Sequence, residues 1–157
     1  MVRIHFIIGR TASKTPEVPR AELEANVRNI ARTWGDRLDE ALNTAHDPGT
    51  ANEFAARFRG AFSAAYREAY SPEVAVGDIQ TLQKLTAERP LAVDFHRGSS
   101  KEEGSSGLKV WSFDKPISLS ARVPILENMG FRIVDEHTYH VALQGEGAPD
   151  FWLHDMM

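Results

Sequence analysis

The sequence predicts an α+β protein in which short strands lie before and after a long helical stretch. Apolar residues alternate with other residues over positions 2–8 and again after Pro90, which is the period of a strand with one buried face. Between these regions, from Glu22 to Leu85, apolar residues recur every three or four positions, which is the period of a helix with one apolar side. Helices and strands are therefore segregated along the chain, as in α+β folds.

The first predicted strand, residues 2–8, runs into the stretch FIIGRTASKT at residues 6–15. A Walker A loop requires Gly-x4-Gly-Lys-Ser/Thr, because the second glycine lets successive backbone N–H groups surround the phosphates. Here no second glycine precedes Lys14, and Pro16 follows where the phosphate-binding helix would begin. We therefore predict the end of a strand rather than a nucleotide-phosphate site.

Three helical stretches are predicted next, over residues 22–45, about 50–70 and 71–85. The first ends near Asp47-Pro48-Gly49, and Ser71-Pro72 has the cap and first-turn proline typical of a helix start. The second carries an aromatic residue at every fourth position, which we interpret as a core seam rather than a stack for a cofactor or for bases. These aromatic residues are Phe54, Phe58, Phe62, Tyr66 and Tyr70. Gly60 is expected to break or bend this helix.

The remaining chain is predicted to form a mostly antiparallel sheet with one helix. Strands are expected at residues 91–96, 108–113, 131–134, 139–143 and 151–154, and a helix from Ser118 or Ser120 to Met129, where Gly130 ends it. The polar residues 98–107 are expected to form a mobile hairpin tip between the first two of these strands.

Composition excludes several classes of protein. The 157 residues include no cysteine and carry a formal charge of −4, so a disulfide framework, a thiolate metal site and a general attraction to nucleic acid are not expected. No apolar run approaches the roughly 20 residues that span a bilayer, and no secretion signal is present at the start. We expect a cytoplasmic protein without a membrane partner or nucleic-acid partner.

Familiar catalytic and metal-binding patterns are missing. The stretch DEHTYH, residues 135–140, contains four candidate metal ligands, but on a strand His137 and His140 point to opposite faces and cannot hold one ion. There is no Gly-x-Ser-x-Gly nucleophile and no Gly-x-Gly-x-x-Gly dinucleotide motif. We therefore predict no catalytic, cofactor-binding or metal-binding residue in this chain.

One strand face is open to two interpretations, since a tryptophan on a sheet face can stack on bases but more often packs against a helix or a partner. Lys109, Trp111 and Phe113 share a face of the strand 108–113, an arrangement by which sheets of the RNA-recognition type stack bases. The acidic balance argues against RNA, so a free-standing RNA-binding or protein-interaction domain is the alternative interpretation, and a small independent enzyme with a closed pocket is another.

Five short stretches, in order along nearly the whole chain, resemble those of one protein family. They are Ile8-Gly9-Arg10-Thr11, Trp34 with Asp36-Arg37-Leu38, Ala65-Tyr66-Arg67-Glu68 running into Ser71-Pro72, Leu126 to Ile133 with Asp135-Glu136, and Trp152-Leu153-His154-Asp155. They are similar to the long-chain, NAD-specific glutamate dehydrogenases, in which a very large N-terminal region precedes the catalytic core. The resemblance implies a non-catalytic, regulatory or structural segment of such an enzyme.

The resemblance also implies a domain plan. The N-terminal region of the family contains modules similar to amino-acid-binding ACT domains, which have a ferredoxin-like sheet, and residues 109–133 are similar to their first strand, loop, helix and second strand. Residues 1–10 would be a strand of one truncated ACT-like unit, residues 16–88 a helical segment, and residues 89–157 an ACT-like region truncated at its C-terminus. The parent enzyme would use NAD to oxidise L-glutamate to 2-oxoglutarate and ammonia, and this segment would carry no cofactor.

Two candidate sites follow from the ACT resemblance. Asp114, Lys115, Ser118 and Asn128 would lie around the effector loop and the end of the first helix, where such modules take up amino acids, although Ile117 stands where amino-acid binders usually have glycine. Lys109, Trp111 and Phe113 would form an outward docking face for other domains and subunits of a homo-oligomeric parent, with Leu108 and Val110 turned inward.

Overall fold

The computed structural model describes residues 19–97, 106–145 and 147–157. They form the helices α1 (Arg20–Ile30), α2 (Trp34–Ala45), α3 (Pro48–Phe58), α4 (Ala64–Ala69), α5 (Pro72–Leu82) and α6 (Leu119–Asn128). They also form the strands β1 (Leu91–Arg97), β2 (Ser106–Phe113), β3 (Glu136–Ala142) and β4 (Asp150–Met156). The predicted α+β class is confirmed. The predicted strand at 2–8 and most of the predicted hairpin tip lie outside the described residues.

The described residues fall into two units, one before residue 33 and one from residue 33 to residue 157. The first contains α1, whose residues are all exposed. The second contains all the other helices and the sheet. No helix within the described ranges is both long enough and apolar enough to cross a membrane.

The predicted helix 22–45 is two helices, because a capping box starts α2 within the periodic pattern. The Thr33 backbone N–H donates to Asp36 Oδ2 at 3.0 Å, and the Asp36 backbone N–H donates to Thr33 Oγ1 at 3.2 Å. This exchange satisfies two backbone donors that a new helix would leave without partners. The second predicted helix is also divided, into α3 and α4, at the turn around Gly60 where the sequence indicated a break.

The four described strands form one antiparallel sheet in the order β1-β2-β4-β3. The predicted strand 131–134 is wrong, because these residues have no regular structure and β3 begins at Glu136. Gly130 ends α6 as predicted, with a positive φ of 89° that favours glycine.

The core lies between α2–α5 and one face of the sheet. Its aromatic seam is confirmed, since Phe58, Phe62 and Tyr66 are buried and Tyr66 packs edge-on against Tyr139 of β3 at 5.8 Å between ring centroids. The other buried apolar residues of this cluster include Leu38, Leu42, Ile79, Leu82, Trp111, Val141, Phe151 and Leu153. Helix α6 lies on the opposite face of the sheet, where Ile117 just before it binds His154 of β4.

Candidate functional site at the helix–sheet interface

A buried ion pair joins the helices to the sheet. Lys109 of β2 places its Nζ atom 3.1 Å from Asp78 Oδ1 and 2.9 Å from Asp78 Oδ2, on α5. Both side chains are buried. The Tyr66 hydroxyl, on α4, donates to Asp78 Oδ2 at 2.5 Å. The charged atoms of α5 and β2 are thus paired with each other and with a donor from a second helix, as buried charges require.

The Lys109 ammonium also faces two aromatic rings. It lies 4.1 Å from the centroid of the Tyr70 ring and 5.8 Å from that of Trp111. Ring faces carry negative partial charge, so both positions attract a cation. The Lys109 side chain is therefore held by a carboxylate and by aromatic rings at once.

A second carboxylate continues the network on β4. Asp155 stands opposite Lys109 in the β2–β4 register, and it accepts a hydrogen bond from the Tyr70 hydroxyl. The His96 Nε2 atom of β1 lies 3.1 Å from Asp155 Oδ1. Residues from two helices and three strands therefore meet in one polar cluster, which we call the interface network: Tyr66, Tyr70, Asp78, His96, Lys109 and Asp155.

Burial sets the protonation of this network. It raises the pKa of the Asp78 carboxyl, while the nearby Lys109 ammonium acts in the opposite direction. It also raises the pKa of the Tyr66 and Tyr70 hydroxyls well above the usual tyrosine range, and the carboxylates beside them add to the effect. Both tyrosines are therefore protonated donors at neutral pH.

Two clefts open at the edge of the interface network and share Tyr70 and His96. One, of about 350 Å³, lies along α5 and β1, and the other, of about 410 Å³, is lined by Tyr139, His137 and Asp155. At their walls Lys109 binds Asp78, and Asp155 binds Tyr70 and His96. This arrangement joins α5, β1, β2 and β4 to one another.

A second polar cluster lies under α6. The buried His154 accepts the Ile117 backbone N–H at Nε2, 3.1 Å, and its Nδ1 atom lies 3.0 Å from Thr138 Oγ1. Arg122 Nη2 donates to Glu136 Oε1 at 2.7 Å, while its buried Nε and Nη1 atoms have no hydrogen-bond partner. Burial, with the Arg122 charge as a second cause, lowers the pKa of His154 to about 4. His154 is therefore neutral at pH 7.

The lowered pKa of His154 predicts a loss of stability in mild acid. Because the folded pKa of about 4 lies below the unfolded value near 6.5, the unfolded chain binds more protons between these values. The contribution is fully present above pH 6.5 and is lost as the pH falls toward 4, by about 2 kcal/mol between pH 7 and pH 5. Urea unfolding at both pH values measures it. The loss of unfolding free energy between pH 7 and pH 5 should be smaller in His154→Gln. It should remain in the control His137→Gln, because His137 is exposed. Equal losses in both variants would contradict the assignment to His154.

Comparisons with known proteins give the family. A family model described as "Glutamate dehydrogenase, helical motif 2" matches residues 41–85, and one described as "Glutamate dehydrogenase, ACT3 domain" matches residues 90–157. The chain belongs to the NAD-specific glutamate dehydrogenase family. The expected resemblance is confirmed.

Three similar proteins are each named NAD-specific glutamate dehydrogenase. The one from Halomonas elongata is 36% identical over 155 residues, the one from Pseudomonas aeruginosa is 32% identical over 157 residues, and the one from Mycobacterium tuberculosis is 31% identical over 152 residues. The matches cover 99%, 99% and 94% of this chain. The chain spans about 9% of the length of each of these relatives.

The outward docking face expected on this glutamate dehydrogenase segment is wrong in its orientation. Trp111 is only 2% exposed and belongs to the core, Lys109 is buried against Asp78, and Phe113 is half-buried against the same core. The reason is that α2–α5 cover the face that was expected to be open. A buried Trp111 ring cannot stack on a base, so the RNA-binding alternative loses the residues that suggested it.

The four residues expected around an effector loop do not all come together. Asp114, with a positive φ of 65°, Lys115 and Ser118 lie between β2 and α6. Asn128 is the last residue of α6, and at 1.5 Å per residue it stands about 15 Å along the helix from Ser118. Asp114, Lys115 and Ser118 therefore lie at the start of α6, and Asn128 lies at its end.

The interface network itself was missed by sequence reasoning. Asp78 and Lys109 are 31 positions apart in the sequence. Asp155 is also distant from both in the sequence, on the last strand. A signal was present, since a lysine in the middle of an apolar strand needs a buried partner. In the DEHTYH stretch, His137 Nδ1 lies 3.7 Å from Asp135 Oδ2, and the His140 ring stacks on the Trp152 ring with 4.3 Å between centroids. The parts of the chain that the structure describes contain no cluster of three metal-ligating side chains.

Proposed function

We propose that this chain is a non-catalytic, regulatory and structural segment from the N-terminal region of an NAD-dependent glutamate dehydrogenase. Within the described residues, a helical segment that ends near residue 88 precedes an ACT-like region at residues 89–157. The parent enzyme oxidises L-glutamate to 2-oxoglutarate and ammonia and reduces NAD. The family membership and the α+β fold support this assignment.

The interface network is the observation that carries the proposal. Asp78 lies in the stretch matched as a helical motif, whereas Lys109 and Asp155 lie in the stretch matched as an ACT domain. An ion pair in the interior fixes the position of one part on the other, because its separation would leave two buried charges without partners. The network therefore supports a segment that holds the helical motif and the ACT-like region in a fixed relative position, rather than one that performs chemistry.

The residues do not fit NAD itself. Dinucleotides bind where parallel strands run into glycine-rich turns at helix N-termini. The four described strands are antiparallel throughout, and α6 begins after the loop Asp114–Ser118, which contains no glycine. We therefore assign NAD binding to parts of the parent polypeptide outside this chain.

The isolated chain is expected neither to bind NAD nor to oxidise glutamate. Isothermal titration calorimetry with NAD should give no saturable heat, and absorbance at the NADH band should not rise with glutamate. The full-length protein, prepared in parallel, should do both. Stoichiometric NAD binding by the isolated chain would contradict the proposal, and so would a full-length protein without glutamate-dependent NADH formation.

An amino-acid effector, if the parent has one, is expected to bind weakly or not at all at the loop of Asp114, Lys115 and Ser118. Ile117 places a bulky side chain where a ligand would approach bare backbone, and its N–H is already donated to His154. The melting temperature should therefore stay constant across a panel of amino acids at millimolar concentration. A clear rise with any of them, absent in Ser118→Ala, would contradict this expectation.

We also propose that the parent acts in the cytoplasm as a homo-oligomer, with its own other domains as the partners of this segment. The absence of cysteine is compatible with the cytoplasm, and the small share of the relatives' length supports intramolecular partners. Sedimentation of the full-length protein tests the oligomer, and a monomer at enzyme concentrations would contradict it.

A further inference from the structure

The cleft of about 350 Å³ between α5 and β1, which we call the α5–β1 cleft, combines a helix wall, a carboxylate and an aromatic ring. Val74, Gly77 and Thr81 of α5 form the helix wall, the carboxylate belongs to Asp94 of β1, and the ring is that of Tyr70. Cavities of roughly 300–1,000 Å³ with a few polar groups are the usual sites of small molecules. The α5–β1 cleft therefore has the size and composition of a small-molecule site.

Gly77 keeps the helix wall of this cleft open. Glycine in a helix interior lowers helix stability relative to alanine, and a close contact with another element is the usual reason to find it there. Gly77 has no such contact with the described residues, because a Cβ atom built on it would meet no atom within 4 Å. Helix α5 therefore carries a glycine that this packing does not require, on the side that lines the cleft.

Asp94 gives the cleft an unbalanced negative charge. It stands opposite Lys109 in the β1–β2 register, but the Lys109 ammonium is bound by both carboxylate oxygens of Asp78. Asp94 itself is exposed and makes no hydrogen bond or ion pair with another described residue. His96, two residues further along β1, is bound to Asp155. Since the charges of Asp78 and Lys109 cancel, the carboxylate of Asp94 remains to attract a cation.

We propose that the α5–β1 cleft binds a small organic amine in its protonated form. This inference rests on the proposed function, in which the segment is regulatory. The ammonium group of the ligand donates to the Asp94 carboxylate, which is a charge-assisted hydrogen bond. The apolar stem of the amine contacts Val74 and the Tyr70 ring and passes over the Gly77 backbone, where any other residue would place a side chain.

The surroundings of the cleft favour a small molecule over a segment of the longer polypeptide. Val74 is the one large apolar residue exposed on the described helices α2–α5, so a helix or strand would find little apolar surface to bury beside the cleft. The ligand is an amine without an acid group, since a carboxylate next to the ammonium would face Asp94. An α-amino acid is therefore a poor ligand for this cleft.

Isothermal titration calorimetry with phenethylamine and with phenethyl alcohol tests the charge requirement. The two compounds have nearly the same shape, and only the amine is a cation at pH 7. Phenethylamine should bind saturably at one site, and phenethyl alcohol at least about tenfold more weakly, because it lacks the charge of the ammonium that Asp94 binds. No saturable heat with phenethylamine, or equal affinity of both compounds, would overturn the proposal.

Two variants locate the site, each with a matched control. Asp94→Asn should lower the affinity for phenethylamine at least about tenfold, whereas Glu127→Gln, at an exposed carboxylate on α6, should leave it unchanged. Gly77→Leu should lower it at least about fivefold by filling the cleft, without lowering the melting temperature, since a Cβ at this position meets no other atom. Gln80→Leu adds a leucine to α5 outside the cleft and should bind as the wild type does. Wild-type affinity in Asp94→Asn or in Gly77→Leu would overturn the proposal.

The same titration of the full-length enzyme tests whether the cleft is open in the parent. Phenethylamine should bind there with the affinity found for the isolated chain, at a site that Asp94→Asn removes. Binding by the isolated chain alone would show that another segment of the parent fills the cleft, and it would overturn the proposal. Glutamate-dependent NADH formation, measured on the same preparation without the amine, separates failure of this proposal from failure of the proposed function.

Discussion

Replacing Lys109 with methionine is expected to lower the free energy of unfolding by about 3–5 kcal/mol, because it leaves the Asp78 carboxyl buried without its cation. The Tyr66 hydroxyl still donates to Asp78, but a single neutral donor does not replace an ammonium bound to both oxygens. Urea unfolding of the isolated chain at pH 7, followed by tryptophan fluorescence and by circular dichroism, measures the change.

The double variant Asp78→Leu/Lys109→Met gives the sharper result. Burial alone raises the pKa of Asp78, so the charged pair is costly to keep in the interior, and replacing both partners with apolar residues should recover most of the stability lost in Lys109→Met. Lys115→Met is the matched control, since Lys115 is exposed two residues after β2 and should change stability by no more than about 0.5 kcal/mol. A double variant as unstable as the two single changes added together would show that the two residues act independently.

Trp111→Ser is expected to destabilise the chain by about 3–5 kcal/mol or to prevent folding, because it removes a fully buried indole from the centre of the core. The Trp111 ring also lies 5.8 Å from the Lys109 ammonium, so the substitution removes one of the two aromatic rings that face this charge. Thermal unfolding by circular dichroism gives the change in melting temperature.

Phe95→Ser is the comparison for Trp111→Ser, since it makes a change of similar size on the neighbouring strand. Phe95 is 54% exposed and should cost less than about 1 kcal/mol in the isolated chain. If Trp111→Ser were to keep the wild-type melting temperature while Phe95→Ser unfolded the chain, the two faces of the sheet would be assigned the wrong way round.

The fold class was predictable because helix and strand periods are local properties of the sequence. The boundaries of the helices and strands were harder to predict. The break before Trp34 falls inside an unbroken three-and-four spacing, and only the side-chain exchange between Thr33 and Asp36 reveals it. The apolar residues 131–134 were predicted as a strand, but the chain after Gly130 gains its strand pairing only from Glu136 onward.

The candidate site was less predictable than the fold. Alternation shows that Lys109, Trp111 and Phe113 share a face, but it does not show which face the helices cover, and the orientation was therefore reversed. The partners of Lys109 could not be found from spacing, because Asp78 and Asp155 are brought to it by the packing of α5 and by the pairing of β4 with β2.

The order of the elements along the chain has a consequence for synthesis on the ribosome. The helices α2–α5 emerge first, and their aromatic seam and Asp78 are buried only by strands that come later. The remaining residues after Leu82 take about 4 to 15 s to appear at translation rates of roughly 5–20 residues per second. During that interval Phe58, Phe62 and Tyr66 lack the sheet face that completes their burial. A ribosome stalled when Leu82 has left the exit tunnel but β2 has not should therefore carry a more aggregation-prone chain than one stalled well beyond Met157.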